Sequence, residues 1–119
     1  MMVPILKQGH FLIATIMAAL SDEDMRQFRE ALLDRVVSSR ATAVIIDVMA
    51  MDVLDSFATR TLREIAYMTR LRGARTVLVG VQPEVALTMV QLGLHLEGVA
   101  TALDLEEGLA YLDRVNRRG

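Results

Sequence analysis

Residues 43–47 read Ala-Val-Ile-Ile-Asp, four apolar residues in a row, and Val48 follows the acid. A helix lying on a core shows apolar residues every three or four positions, and a half-buried strand alternates them. A short unbroken run rich in β-branched residues fits a strand covered on both faces. Such a strand needs helices on the sheet, and the flanking sequence supplies them. Met25, Phe28, Leu32, Leu33, Val36 and Val37 recur at helical spacing before the run, and a second helical pattern spans residues 56–72 after it.

The same alternation organises the rest of the chain. Residues 3–6 and 11–16 are short apolar runs separated by Gln8-Gly9-His10, which predicts a hairpin or tight connection. Ser21 is placed to cap the first helix, and Asp22, Glu23 and Asp24 suit its positive end. Gly73 is expected just past the second helix. Residues 75–79 form another buried run ended by Gly80. Pro83 opens a third helix, whose apolar face is Val85, Ala86, Met89, Val90 and Leu92, and Gly93 ends it. Residues 99–103 suit a short strand. Asp104 and Glu107 have capping-box spacing ahead of a last helix through Leu109, Leu112 and Val115. The expected order is β-β-α-β-α-β-α-β-α, an α/β chain with a mixed, mostly parallel sheet and about four helices, residues 1–119 forming one domain. In sheets of this kind functional groups gather in the loops beyond the carboxyl ends of the strands. Here those are residues 49–55, Val81-Gln82 and the segment before Asp104.

Composition narrows the function. Of 119 residues, 53% are hydrophobic, too many for a disordered chain, and there is no Cys to build a disulfide scaffold or a Cys-ligated metal site. The net charge is −2 and lacks the basic excess of a dedicated nucleic-acid binder. Lys7 is the only lysine, so any lysine-dependent chemistry has one candidate. No stretch is long and apolar enough to span a membrane, and the N-terminus does not read as a signal peptide, so a cytoplasmic location is expected. Gly residues are scattered, with no phosphate-binding loop, and no G-x-S-x-G surrounds Ser56. His10 and His95 have no acid partner in sequence. Arg60, Arg63, Arg70, Arg72 and Arg75 suit a solvated helix face and its exit. None of these motifs supplies a catalytic residue or a cofactor site. A metal reading arises only at the acid cluster of Asp47, Asp52 and Asp55, and the expectation for the chain as a whole is no catalytic residue, metal or cofactor.

The densest polar cluster is Asp47, Asp52, Asp55 and Ser56, where a buried strand gives way to a helix. It admits three readings. Asp55 or Ser56 caps the helix while Asp47 bonds a neighbouring backbone N–H. The acids form a metal-assisted phosphoryl site, although the expected lysine after the last strand is missing. Or Ser56 is a phosphate acceptor: its hydroxyl lies outside the packed strands, and phosphorylation adds roughly −1.5 to −2 charges that change the surface a partner meets.

The cluster and its approach resemble a known family. Val44-Ile45-Ile46-Asp47, leading to Met51-Asp52-Val53-Leu54-Asp55-Ser56-Phe57, is similar to the signature of the STAS domain, named after sulfate transporters and anti-sigma factor antagonists. The element order matches that fold across essentially the whole chain. Pro4-Ile5-Leu6-Lys7, Gly80-Val81-Gln82-Pro83 and Thr101-Ala102-Leu103-Asp104-Leu105-Glu106-Glu107-Gly108-Leu109, with Asp-Ser-Phe in place of the commoner Asp-Ser-Ser-Gly, resemble the RsbS-type group of stressosome scaffolds. Phe57 and Ala58 depart from the general family pattern.

The resemblance implies a scaffold without enzymatic activity or cofactor. Proteins of this type assemble with RsbR-type paralogues into a large cytoplasmic complex that sequesters an RsbT-like serine kinase. Phosphorylation of the scaffold releases the kinase, and an RsbX-like phosphatase resets it. Carried over, the acceptor is Ser56, with Thr59 a secondary candidate one turn along. Asp47, Asp52, Asp55 and Phe57 shape the loop and the partner-binding surface. The partners expected are proteins, copies of the chain included, with no nucleic acid and no membrane. An alternative is a simple antagonist that binds an anti-sigma kinase directly. Two further alternatives are a small phosphotransfer or nucleotide-binding protein and a purely structural module.

Overall fold

A computed structural model describes residues 2–117. The elements run β1 (Ile5–Gln8), β2 (Phe11–Thr15), α1 (Asp22–Ser39), β3 (Ala43–Asp47), α2 (Ser56–Leu71), β4 (Arg75–Val79), α3 (Pro83–Gln91), β5 (Ala100–Ala102) and α4 (Leu105–Arg117). The expected order and fold class are therefore observed. The strands form one sheet in the order β1-β2-β3-β4-β5, with β1 antiparallel to β2 and the other pairs parallel.

β3 lies at the centre, and Ala43, Val44, Ile45 and Ile46 are all fully buried. Alternate residues serve opposite layers. Val44 and Ile46 join Leu12, Ala14 and Leu78 under α1, α2 and α3. Ala43 and Ile45 join Ile13, Val77 and Val79 under α4. Burial on both faces is what an unbroken β-branched run demands, because each side chain removed from water contributes about 1.5–3 kcal/mol.

Helix ends follow local chemistry. Ser21 and Asp24 form a reciprocal capping box at the start of α1. In α1, Met25, Phe28, Leu32 and Val36 make the buried stripe, whereas Val37 stays half exposed. Pro83 is the first residue of α3, where its missing N–H costs nothing. At α4, Glu107 N donates to Asp104 Oδ1 (2.9 Å). The Glu107 carboxylate reaches the Leu103 N–H (3.3 Å), one residue before the cap, so the box is displaced by one position.

β1 departs from the expected residues 3–6. It runs two residues later because Gln8 pairs with Phe11 across a two-residue turn at Gly9-His10, where Gly9 has φ +60°. Lys7 and Gln8 are polar, yet β1 is an edge strand with exposed side chains, and ladder hydrogen bonds place it there without an apolar run. Val3 packs into the core from outside the strand.

α4 sits close on the sheet because position 108 lacks a side chain. A Cβ on Gly108 would meet Val79 Cγ1 at 2.9 Å and Val77 Cγ1 at 3.7 Å. Both valines are fully buried in β4 and cannot yield freely. Alanine is the better helix former by about 1 kcal/mol, but overpacking costs about 1–3 kcal/mol. Gly108→Ala should therefore lower Tm by about 4 °C in a thermal melt, against the direction helix propensity alone would give; an unchanged or higher Tm would refute the tight seat of α4.

Candidate functional site

The site begins where β3 emerges from the sheet. Ile16 N donates to Asp47 O (3.0 Å) and Val48 N donates to Val79 O (3.0 Å), so both neighbouring strands hold the exit of β3. The Asp47 carboxylate turns back to accept from Met49 N (2.9 Å), starting the loop. Gly80, at the end of β4, packs against this turn with φ +80°. A Cβ there would lie 3.0 Å from Met49 Cβ and 3.2 Å from both Asp47 Oδ1 and Met49 N. Position 80 thus requires glycine twice, for its left-handed backbone and for the close approach.

Two apolar anchors shape the loop of residues 49–55. Met51 and Leu54 are buried in the main core, which leaves Met49, Asp52, Val53 and Asp55 exposed. From the neighbouring loop Gln82 Nε2 donates to Met49 O (2.6 Å) and reaches 3.5 Å from Asp52 Oδ1. The loops after β3 and β4 are thereby joined into one surface.

α2 opens at the end of that loop. Asp55 is its N-cap, and its carboxylate accepts from Ala58 N (2.8 Å). Ser56 is the first helical residue and is exposed. Because Asp55 performs the capping, the Ser56 hydroxyl is not needed for it. Phe57 turns partly inward onto the core. Its ring is flanked by two guanidiniums: Arg26 Cζ of α1 at 5.0 Å from the centroid and Arg60 Cζ of α2 at 5.7 Å. Arg26 also pairs with Glu23 (3.2 Å).

The expected site residues therefore separate into different tasks. Asp47 and Asp55 bond backbone N–H groups, and Asp52 faces Gln82. Among the described residues no group of three or more His, Cys, Asp or Glu is arranged to hold a metal ion. Thr59 is 1% exposed, and its Oγ1 is buried without a hydrogen-bond partner, so nothing outside the fold reaches it in this conformation. The Gln82 bridge and the Arg26–Phe57–Arg60 stack were not foreseen from sequence. Arg60 stands at i+3 from Phe57, a usable helical signal, whereas Arg26 arrives only through the packing of α1 on α2.

An orphaned buried hydroxyl is a liability of about 1–3 kcal/mol. Replacing it with a methyl of the same shape, Thr59→Val, should stabilise the protein by about 1 kcal/mol and raise the urea midpoint; a fall in the midpoint would mean that the hydroxyl is satisfied after all.

Comparison with known proteins places this geometry in a family. The model of the STAS domain matches residues 3–108. The co-antagonist RsbRA of Bacillus subtilis, described as an RsbT co-antagonist protein, is 31% identical over 97 residues, which is 82% of this chain and 35% of that protein. The chain thus spans about a third of the length of that relative. Among solved structures, a serine-to-glutamate variant of RsbS from Moorella thermoacetica is 39% identical, with a TM-score of 0.84 over 97% of both chains. A chain from the stressosome, described as a signal integration and transduction hub, is 38% identical with a TM-score of 0.78, covering 96% of this chain and 99% of that one. The anti-sigma factor antagonist SpoIIAA shares the fold, with a TM-score of 0.71 at 16% identity. No helix among the described residues is long and apolar enough to cross a membrane. The chain is similar to RsbS, to a stressosome chain and to RsbRA, and it belongs to the STAS domain family.

Proposed function

We propose that this chain is a non-catalytic, cytoplasmic signalling scaffold of the RsbS type, switched by phosphorylation of Ser56. It assembles with RsbR-type paralogues into a large complex, holds an RsbT-like serine kinase, and releases it once modified. The kinase transfers the γ-phosphoryl group of ATP to Ser56 Oγ, with ADP as the leaving group and the hydroxyl proton lost to solvent or a kinase base. An RsbX-like phosphatase hydrolyses the ester and resets the scaffold.

The observation that carries this reading is the position of Ser56. It is exposed at the first turn of α2, relieved of capping by Asp55, and set on a loop that Met51, Leu54, Gln82 and Gly80 hold in shape. The 38–39% identity to RsbS and the stressosome chain over nearly the full length supports the same assignment. Thr59 is a poor acceptor by comparison, since a kinase would have to unwind the first turn of α2 to reach it. Asp47 orders the loop, and Asp52, Asp55 and Phe57 contribute to the surface the kinase meets.

A phosphate on Ser56 needs no refolding to be felt. The helix N-terminus favours the added charge, while Asp52 and Asp55 oppose it. The fold is left largely as it was, and the surface presented to the kinase gains roughly −1.5 to −2 charges.

Ser56→Ala should fold with a stability change within about 0.5 kcal/mol, because it removes no cap. It should bind the kinase as the parent does and fail to release it in the presence of ATP. Ser56→Asp should bind about tenfold more weakly in a titration of labelled kinase. Equal affinity of both variants would refute the switch. Sizing with an RsbR-type paralogue should give very large particles; monomers or dimers that still bind the kinase would favour the simple antagonist.

A further inference from the structure

Two guanidiniums with different ties lie over the ring of Phe57. Arg26, 5.0 Å from the ring centroid, is also held by the Glu23 carboxylate at 3.2 Å. Arg60, 5.7 Å from the same centroid, has no carboxylate partner among the described residues. It is exposed and lies over the ring at 5.7 Å. Along α2, Arg60 is three residues from Phe57 and four from Ser56. On a helix both spacings bring side chains together, so one long side chain can serve either neighbour.

We infer that Arg60 is the internal receiver of the phosphate on Ser56, exchanging the Phe57 ring for the phosphate oxygens while Arg26 stays on the ring. Charge-assisted hydrogen bonds from a planar guanidinium to a dianion are stronger than a solvent-exposed cation–π contact, so the exchange runs toward the phosphate. Arg26 gains less from moving, because it would give up Glu23 as well as Phe57. The exchange uncovers part of the Phe57 ring and removes a positive charge from beside it. The surface beside the modified serine therefore changes in two ways at once, an anion gained at Ser56 and a cation withdrawn from Phe57. A kinase docked against the Arg60 guanidinium at that ring would lose its contact without any movement of the backbone.

This inference rests on Ser56 being the acceptor, and its test omits the kinase, so either can fail alone. Phosphoserine is built into position 56 during synthesis, and the second phosphate pKa is followed by phosphorus NMR in the otherwise unchanged protein and in R60Q, R26Q and R70Q. In the protein with Arg60 the phosphate should titrate about half a pH unit lower than in R60Q. R26Q removes the same charge from the same neighbourhood and should follow the parent, as should R70Q. Proton contacts between the Phe57 ring and Arg60 should vanish on phosphorylation while those from Arg26 persist. A phosphate that titrates alike with and without Arg60, or one that responds to R26Q instead, would overturn the assignment.

Discussion

Burial of β3 on both faces is the constraint on which the rest of the molecule depends. Ala43, Val44, Ile45 and Ile46 have no exposed surface, so the strand is fixed in register by helices above and α4 below. A one-residue slip would exchange the two layers. The next residue is Asp47, and a carboxylate cannot follow the apolar run into the interior. The chain therefore leaves the sheet at that point, with Asp47 held by Ile16 on one side and bonded to Met49 on the other. The loop and Ser56 inherit their place from that exit.

The loop shows how an exposed surface can be kept rigid with few contacts. Met51 and Leu54 each bury an apolar side chain, worth about 1.5–3 kcal/mol, while the residues between them remain in water. The Asp55 cap adds about 1 kcal/mol at the start of α2. These terms exceed what one phosphate changes electrostatically. Near the surface, a charge at a helix N-terminus gains roughly 0.3–1 kcal/mol, and repulsion from a neighbouring carboxylate is of similar size. A phosphate on Ser56 would thus alter recognition more than stability, as the proposed switch requires.

Much of the fold was legible because its signals are local. The run at residues 43–46, the Ser21 cap, Pro83 at the head of α3 and glycines past helix ends each follow from one or two residues. β1 was misplaced by two residues because an edge strand is defined by its pairing partner, and Lys7 and Gln8 give no apolar signal. The candidate site was legible in part. Asp47, Asp55 and Ser56 stand out by type and spacing, but sequence left open whether Asp55 or Ser56 was the cap, and hydrogen-bond geometry decided for Asp55. The burial of Thr59, the Gln82 bridge and the arrival of Arg26 beside Phe57 depend on how elements distant in sequence pack. No local pattern encodes those.

Ser56 is proposed as the acceptor through which a kinase is released. The most direct test of that role is intact-mass analysis and peptide mapping after the protein is mixed with ATP, Mg²⁺ and an RsbT-like kinase. A single added phosphate, located on Ser56, is expected. No phosphate while the kinase modifies a control substrate, or a phosphate on Thr59 instead, would contradict it.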